Sequence, residues 1–160
     1  MGESLLISDQ IVVFHLDEQS FALPLSAVEK VIHAVEISYL PKAPEIIIGI
    51  INVKGQLIPV ADIRKRLGLF SREMDPNNQL IIANTGKRQV AIMVDNVIGI
   101  RRLETGQLIA TKDVCPFIEN VRGVAKVEDG LIIIYNLEKF LSLDEEKELE
   151  QALNFKTHKP

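Results

Sequence analysis

Short apolar runs separated by polar turns organise this chain, and most of the runs have the composition of strands. Ile11 to Leu16 is rich in β-branched residues, Asp17-Glu-Gln-Ser20 is polar, and Phe21 to Leu25 alternates apolar side chains up to Pro24. That pattern predicts a hairpin. Val31 to Tyr39 predicts a further strand ending before Pro41 and Pro44. Ile46 to Val53 is continuously apolar apart from Gly49 and Asn52, as a strand buried on both faces is. Lys54-Gly55-Gln56 supplies a tight turn into Leu57 to Ala61, where Pro59 lacks a ladder donor and marks an edge or a bulge. Asp62 is placed to cap a short helix, Ile63 to Leu67, that stops at Gly68.

The second half has the same rhythm. Ser71 to Gln79 is the most loop-like stretch, after which Leu80 to Ala83 and Gln89 to Val94 flank the glycine-containing connection Asn84 to Arg88. Gly99 to Leu103 carries the chain onward. Phe117 to Lys126 and Leu131 to Tyr135 flank Val127-Glu-Asp-Gly130, and Asp-Gly is a strong turn signal. Asn136 takes the capping position that Asp62 holds in the first half, ahead of a short helix from Leu137 to Leu141. Ser142 to Leu153 predicts an acidic amphipathic helix, capped by Ser142 or Asp144, with Leu143, Leu149 and Leu153 turned inward. Asn154 to Pro160 reads as a frayed end.

The two halves also match residue by residue. Phe21-Ala-Leu-Pro-Leu-Ser-Ala-Val28 aligns without a gap to Val90-Ala-Ile-Met-Val-Asp-Asn-Val97, each following an apolar run at the same offset. Asn52-Val-Lys-Gly55 leads into Leu57 to Leu67 as Asn120-Val-Arg-Gly123 leads into Leu131 to Leu141, which pairs the turns Lys54-Gly55 and Arg122-Gly123. A chain that repeats its own order of strands, glycine turn and capped helix is two copies of one small unit. Two copies make a cleft.

Composition narrows the function classes. Apolar residues make up 47% and charged residues 25%, and the net charge of −4 argues against nucleic acid or anionic membrane as the main partner. The basic pairs Lys87-Arg88 and Arg101-Arg102 lack interleaved aromatics. A single cysteine, Cys115, forms no internal disulfide and fits a reducing cytoplasm. The N-terminus carries an acidic residue where a signal peptide needs basic ones, and no apolar run reaches membrane-spanning length. His15, His33 and His158 have no second ligand at metal-site spacing, so neither a metal nor a cofactor is expected. The chain contains no G-x-S-x-G and no Walker loop. Asp62 and Asp95 read as capping residues rather than general bases.

Binding by surface remains, and here a resemblance enters. Gly49-Ile-Ile-Asn-Val-Lys-Gly-Gln-Leu-Ile-Pro-Val-Ala-Asp-Ile-Arg64 resembles the signature of the CheW-type coupling proteins of bacterial chemotaxis, where Gly, Asn, Gly and Pro-x-x-Asp-Leu/Ile-Arg recur in that register. Phe21 to Val31, Val90 to Val97 and Leu131 to Leu141 resemble further family elements, so the likeness runs from about Ile11 to about Leu143. It implies an all-β fold of two intertwined five-stranded SH3-like barrels on one hydrophobic core, with short helices and a C-terminal helix. On that basis residues 18–80 make one subdomain, residues 81–143 with strand 10–17 the other, and 144–160 the helix and tail of a single domain.

The resemblance also implies a role: a scaffold without catalysis that bridges the cytoplasmic tip of a chemoreceptor and the regulatory domain of a chemotaxis histidine kinase. Val28, Lys30, Lys54 and Ile100 match the receptor-facing groove, although Val28 and Ile100 also suit a core and Lys54 a plain turn charge. Val35 and Ile37 match a kinase-facing surface, or mere strand packing. Many members carry Arg at the position of Lys54 and Glu near that of Lys30, often as an acid and base pair. Two lysines cannot form one. Two other readings stay open: an adaptor of a related pilus or gliding array, and a sensor that binds a small ligand in the cleft.

Overall fold

The computed structural model describes residues 10–104, 106–109 and 121–158, with side chains of the last helix described through Phe155. Eleven strands run in chain order: β1 Gln10–Leu16, β2 Gln19–Pro24, β3 Val28–His33, β4 Ile47–Val53, β5 Gln56–Ala61, β6 Gln79–Asn84, β7 Gln89–Val94, β8 Asn96–Arg102, β9 Leu108–Ile109, β10 Val121–Val127 and β11 Gly130–Tyr135. Helix α1 spans Arg64–Leu67 and helix α2 spans Leu143–His158, while Leu25–Ala27 and Leu137–Lys139 form single 3-10 turns. The fold is all-β with short helices. Cys115 and the first residues of the strand expected from Phe117 lie outside the described residues.

The strands form two sheets, one of order β8-β1-β2-β11-β10-β9 and one of order β3-β6-β7-β5-β4. The first copy contributes β1 to β5, and the second contributes β6 to β8, β10 and β11. In each sheet the hairpin of one copy is inserted between the third strand and the fourth and fifth strands of the other. The five-strand unit is the same in both; β9 is an addition to one of them.

Pairing registers establish the equivalence strand by strand. The parallel ladders meet at Ile134 with Ala22 and at Val60 with Ala91, which are matched positions of the two copies. A bulge falls between Val28 and Lys30 where β3 meets β6, and its counterpart falls between Val97 and Gly99 where β8 meets β1. The intertwining is therefore a property of the repeat, not an accident of one half.

Two sequence expectations change. The turn that corresponds to Lys54-Gly55 is Glu128-Asp129, because Val53 pairs with Gln56 as Val127 pairs with Gly130. Arg122-Gly123 lies at the β10 bulge, in the place of Ile48-Gly49; the short Asn-Val-basic-Gly match was out of structural register. Each hairpin, β1 with β2 and β6 with β7, stays whole within one sheet. Finally, the strand expected from Val31 to Tyr39 begins at Val28 and stops at His33, and only Ser38 is bridged again, to Ile50.

Gly49 explains that crossing. A Cβ there would lie 2.4 Å from both Ile37 Cγ2 and Ser38 O, so only glycine lets the segment after β3 pass over β4. Pro59 is accommodated in an interior strand for a related reason. Ile50 exchanges both backbone bonds with Ser38, at 2.8 Å each, so its pairing with Pro59 requires no donor, and on the other side the ladder to β7 begins only at Val60.

Nearly continuous apolar runs follow from burial on both faces. In β6, Ile81 and Ala83 enter a core shared by both sheets, while Leu80 and Ile82 enter the private core of their own sheet. β7 alternates likewise, with Val90, Ile92 and Val94 in the shared core and Ala91 and Met93 in the private one. In the other sheet Phe14 and Phe21 stack across the hairpin inside the shared core.

Helix α2 covers one side of that core with Leu149 and Ala152. Its start is a capping box: Glu145 N–H donates to Ser142 Oγ at 3.1 Å, and Ser142 N–H donates to Glu145 Oε1 at 2.9 Å. Leu143, expected inside, is 74% exposed, and the helix continues to His158, into the segment expected to fray. Ion pairs of Arg66 with Glu145 and Arg88 with Glu146 fasten α2 to both copies.

Candidate functional site

The residues expected to meet partners lie on strand edges and one turn. Val28 opens β3, half-buried against the shared core, and Lys30 follows it past the bulge, exposed. Lys54 heads the β4–β5 turn in a left-handed conformation with φ of 51°, beside Gly55 at 89°, and Asn52 Oδ1 accepts the Gly55 N–H at 2.8 Å. Ser38 and Ile50 pair antiparallel, so β4 runs toward Lys54 alongside the segment that leads back to β3. Among the described residues, neither Lys30 nor Lys54 has an acidic partner. Neither repeats the acid and base pair of other members.

Ile100 lies on β8, an outermost strand of the other sheet. It is 61% exposed and Ile98 is 53% exposed, so a core role for Ile100 is excluded. With Val13, Gly99 and Arg101 these two isoleucines line a shallow concavity of about 250 Å³. Val35 is exposed on the segment after β3, whereas Ile37 packs against the private core and abuts Gly49.

Sequence reasoning missed a charged cluster built around a buried arginine between the two sheets. Arg64 is 1% exposed, and its Nη2 donates to Asp95 Oδ1 at 2.6 Å and Asp17 Oδ1 at 3.1 Å. Asp17 N–H donates to Asp95 Oδ2 at 2.7 Å, and Asp95 N–H donates to His15 O at 3.0 Å. Arg72 reaches Asp17 from outside. Burial pushes the Asp95 carboxyl upward, but the Arg64 and Asp17 hydrogen bonds and the Arg64 and Arg72 charges outweigh it and hold its pKa below the usual carboxylate value.

Asp95 is thus an ion-pair partner, not a cap. Asp62 stands one residue before the N-cap Ile63 and accepts the Arg64 N–H at 3.1 Å, while burial raises its pKa. Asn136 does the same in the second copy, accepting from Glu138 N–H at 3.1 Å. The available signal for the cluster was Arg64 itself: a cation at the end of a buried apolar run needs carboxylates.

The second copy has the same crossing without the buried arginine and its two aspartates. Gly86, Ser26 and Glu138 stand where Asp17, Asp95 and Arg64 stand, and a Cβ on Gly86 would meet Glu138 Oε2 at 3.7 Å. These residues line an open cavity of about 480 Å³ together with Thr85, Glu29 and Arg122. Arg122 pairs loosely with Glu138 at 3.8 Å.

Fold and site together define a class: an all-β module of two intertwined copies with isoleucines exposed on an outermost strand. The family model described as CheW-like domain matches residues 10–145. The chain belongs to the CheW-like domain family, that of the chemotaxis coupling adaptors. Chemotaxis protein CheW of Thermotoga maritima is 31% identical over 132 residues, covering 82% of this chain and 87% of the relative. Chemotaxis protein CheW of Rhizobium meliloti is 26% identical, covering 85% of this chain and 89% of the relative. The crystal structure of the scaffolding protein TtCheW from Thermoanaerobacter tengcongensis superposes with a TM-score of 0.77 at 31% identity, covering 86% of this chain and 95% of that one.

Proposed function

We propose that this chain is a cytoplasmic, non-catalytic adaptor joining the tip of a chemoreceptor to the regulatory domain of a chemotaxis histidine kinase. The observation that carries the receptor side is β8. Two isoleucines exposed on an outermost strand, around a shallow concavity, suit an apolar helical tip. Val28, Lys30 and Lys54 complete the receptor-facing set. Val35 offers the kinase an exposed apolar contact, and Ile37 anchors the segment that presents it.

The test is co-sedimentation of the protein with receptor fragments and kinase, using Ile100→Asp and Lys54→Glu. Both substitutions reduce receptor capture more than kinase capture; unchanged ternary assembly with both would overturn the placement of the groove. The cavity at the open crossing favours a second reading, a small-ligand sensor. Saturable micromolar binding of a metabolite or nucleotide in calorimetry supports it. Pull-down from the source cell separates a flagellar array from a related pilus or gliding array.

A further inference from the structure

We infer that Arg64 is a positioning residue for receptor binding: it locks the point where the chain passes between sheets immediately before β8, while the equivalent point before β3 is left open. The inference rests on the reading that β8 faces the receptor.

Asp95 is the single residue between β7 in one sheet and β8 in the other, and it takes the short Arg64 contact. Arg64 itself follows β5, in the sheet of β7, and Asp17 turns the β1–β2 hairpin, in the sheet of β8. One guanidinium therefore ties both sheets to the start of β8. Asp17 and Glu18 have positive φ, 53° and 70°, as both central residues of a tight two-residue hairpin turn do, and that turn holds the Asp17 carboxylate and N–H at Arg64 and Asp95. Two residues further on, Gln79 Oε1 accepts the Val97 N–H at 2.6 Å, and the exposed Ile98 and Ile100 follow directly.

Stability alone is a poor account of this cluster. Arg64 Nε is buried with no hydrogen-bond partner among the described residues, and a buried guanidinium repays its desolvation only when its hydrogen bonds are complete. An apolar residue at that point would serve packing as well. The second copy shows that the frame can be built without the cluster, since its crossing, with Gly86, Ser26 and Glu138, is a cavity. What the cluster adds is a defined position for the strand that leaves it.

The test uses Arg64→Lys and Asp95→Asn in the full chain, with two readouts. Hydrogen exchange on the partner-free protein shows loss of protection in β8 but not in its counterpart β3. Affinity for a receptor-tip fragment falls by about tenfold, on the scale of positional coupling, while affinity for the kinase regulatory domain changes by no more than about twofold. Equal loss toward both partners, or exchange rising alike in β3 and β8, marks a merely structural role and overturns the inference, as does unchanged exchange in β8. If the unmodified protein captures no receptor fragment, the receptor reading fails while the exchange comparison still decides whether Arg64 holds β8. Should Arg64→Lys fail to fold, Asp95→Asn, which keeps the side-chain shape, carries both measurements.

Discussion

Strands β3 and β8 occupy the same place in the two copies, yet they face different surroundings. Each is a terminal strand paired to the other copy's hairpin, with a bulge at the matched position. Past the bulge β3 presents Lys30 and turns Val31 toward the shared core, whereas β8 presents Gly99 and leaves Ile100 out. The backbone frame is common, so the difference lies in side chains and in how firmly each strand's start is held. A duplicated fold can thus give one copy an edge that completes the core and the other an edge that leaves its isoleucines exposed.

The largest expected effect breaks that equivalence directly. Val31→Asp places a carboxylate against the shared core and lowers unfolding free energy by about 3 kcal/mol in urea titration. Ile100→Asp, at the matched position, changes stability by no more than about 0.5 kcal/mol but weakens receptor-fragment binding by about 2 kcal/mol, roughly thirtyfold, in calorimetry. Equal stability losses would erase the distinction between the two edges.

Smaller effects sharpen it. Gly49→Ala brings a methyl group against Ser38 O, beneath the segment that follows β3, and costs about 2 kcal/mol of stability by the same titration. Lys54→Glu reduces receptor affinity severalfold at low salt, by about 1 kcal/mol, and the deficit shrinks as salt rises, because an exposed charge is screened.

Acid distinguishes the two crossings. Asp95 has a folded-state pKa below its unfolded value, so its contribution to stability is complete above the usual carboxylate pKa of about 3.9 and is lost as pH falls through the lower folded value. The stability difference between the unmodified protein and Asp95→Asn should therefore be largest near neutrality and close in acid. Asp62, raised by burial, works in the opposite sense and flattens the total curve. The smallest effect is Ser142→Ala, which removes the α2 cap and costs about 1 kcal/mol in thermal unfolding.

Much of the fold was legible in the chain because its determinants are local. Period-two alternation, the Lys54-Gly55 and Glu128-Asp129 turns, and the polar residues Asp62, Asn136 and Ser142 at helix or turn starts all act within a few residues. The register of the fourth and fifth strands was not, because Asn-Val-Lys-Gly and Asn-Val-Arg-Gly resemble each other while only hydrogen-bonded pairing fixes their place. Of the site, Ile100 and Lys54 could be named through family motifs, but composition could not separate an exposed isoleucine from a buried one. Val28 and Ile37 carry part of their area in the cores, which alternation alone does not reveal.

The sequence by itself determined two copies of a β-unit, their hairpins and caps, and the motif from Gly49 to Arg64. Tertiary structure alone decided that each hairpin inserts into the other copy's sheet, and that Asp17, Arg64 and Asp95 meet. The physical reason is separation along the chain: Asp17 lies 47 residues from Arg64 and 78 from Asp95, and only strand order brings them within hydrogen-bond reach. The same strand order brings Gly86, Ser26 and Glu138 together at the other crossing and leaves it open.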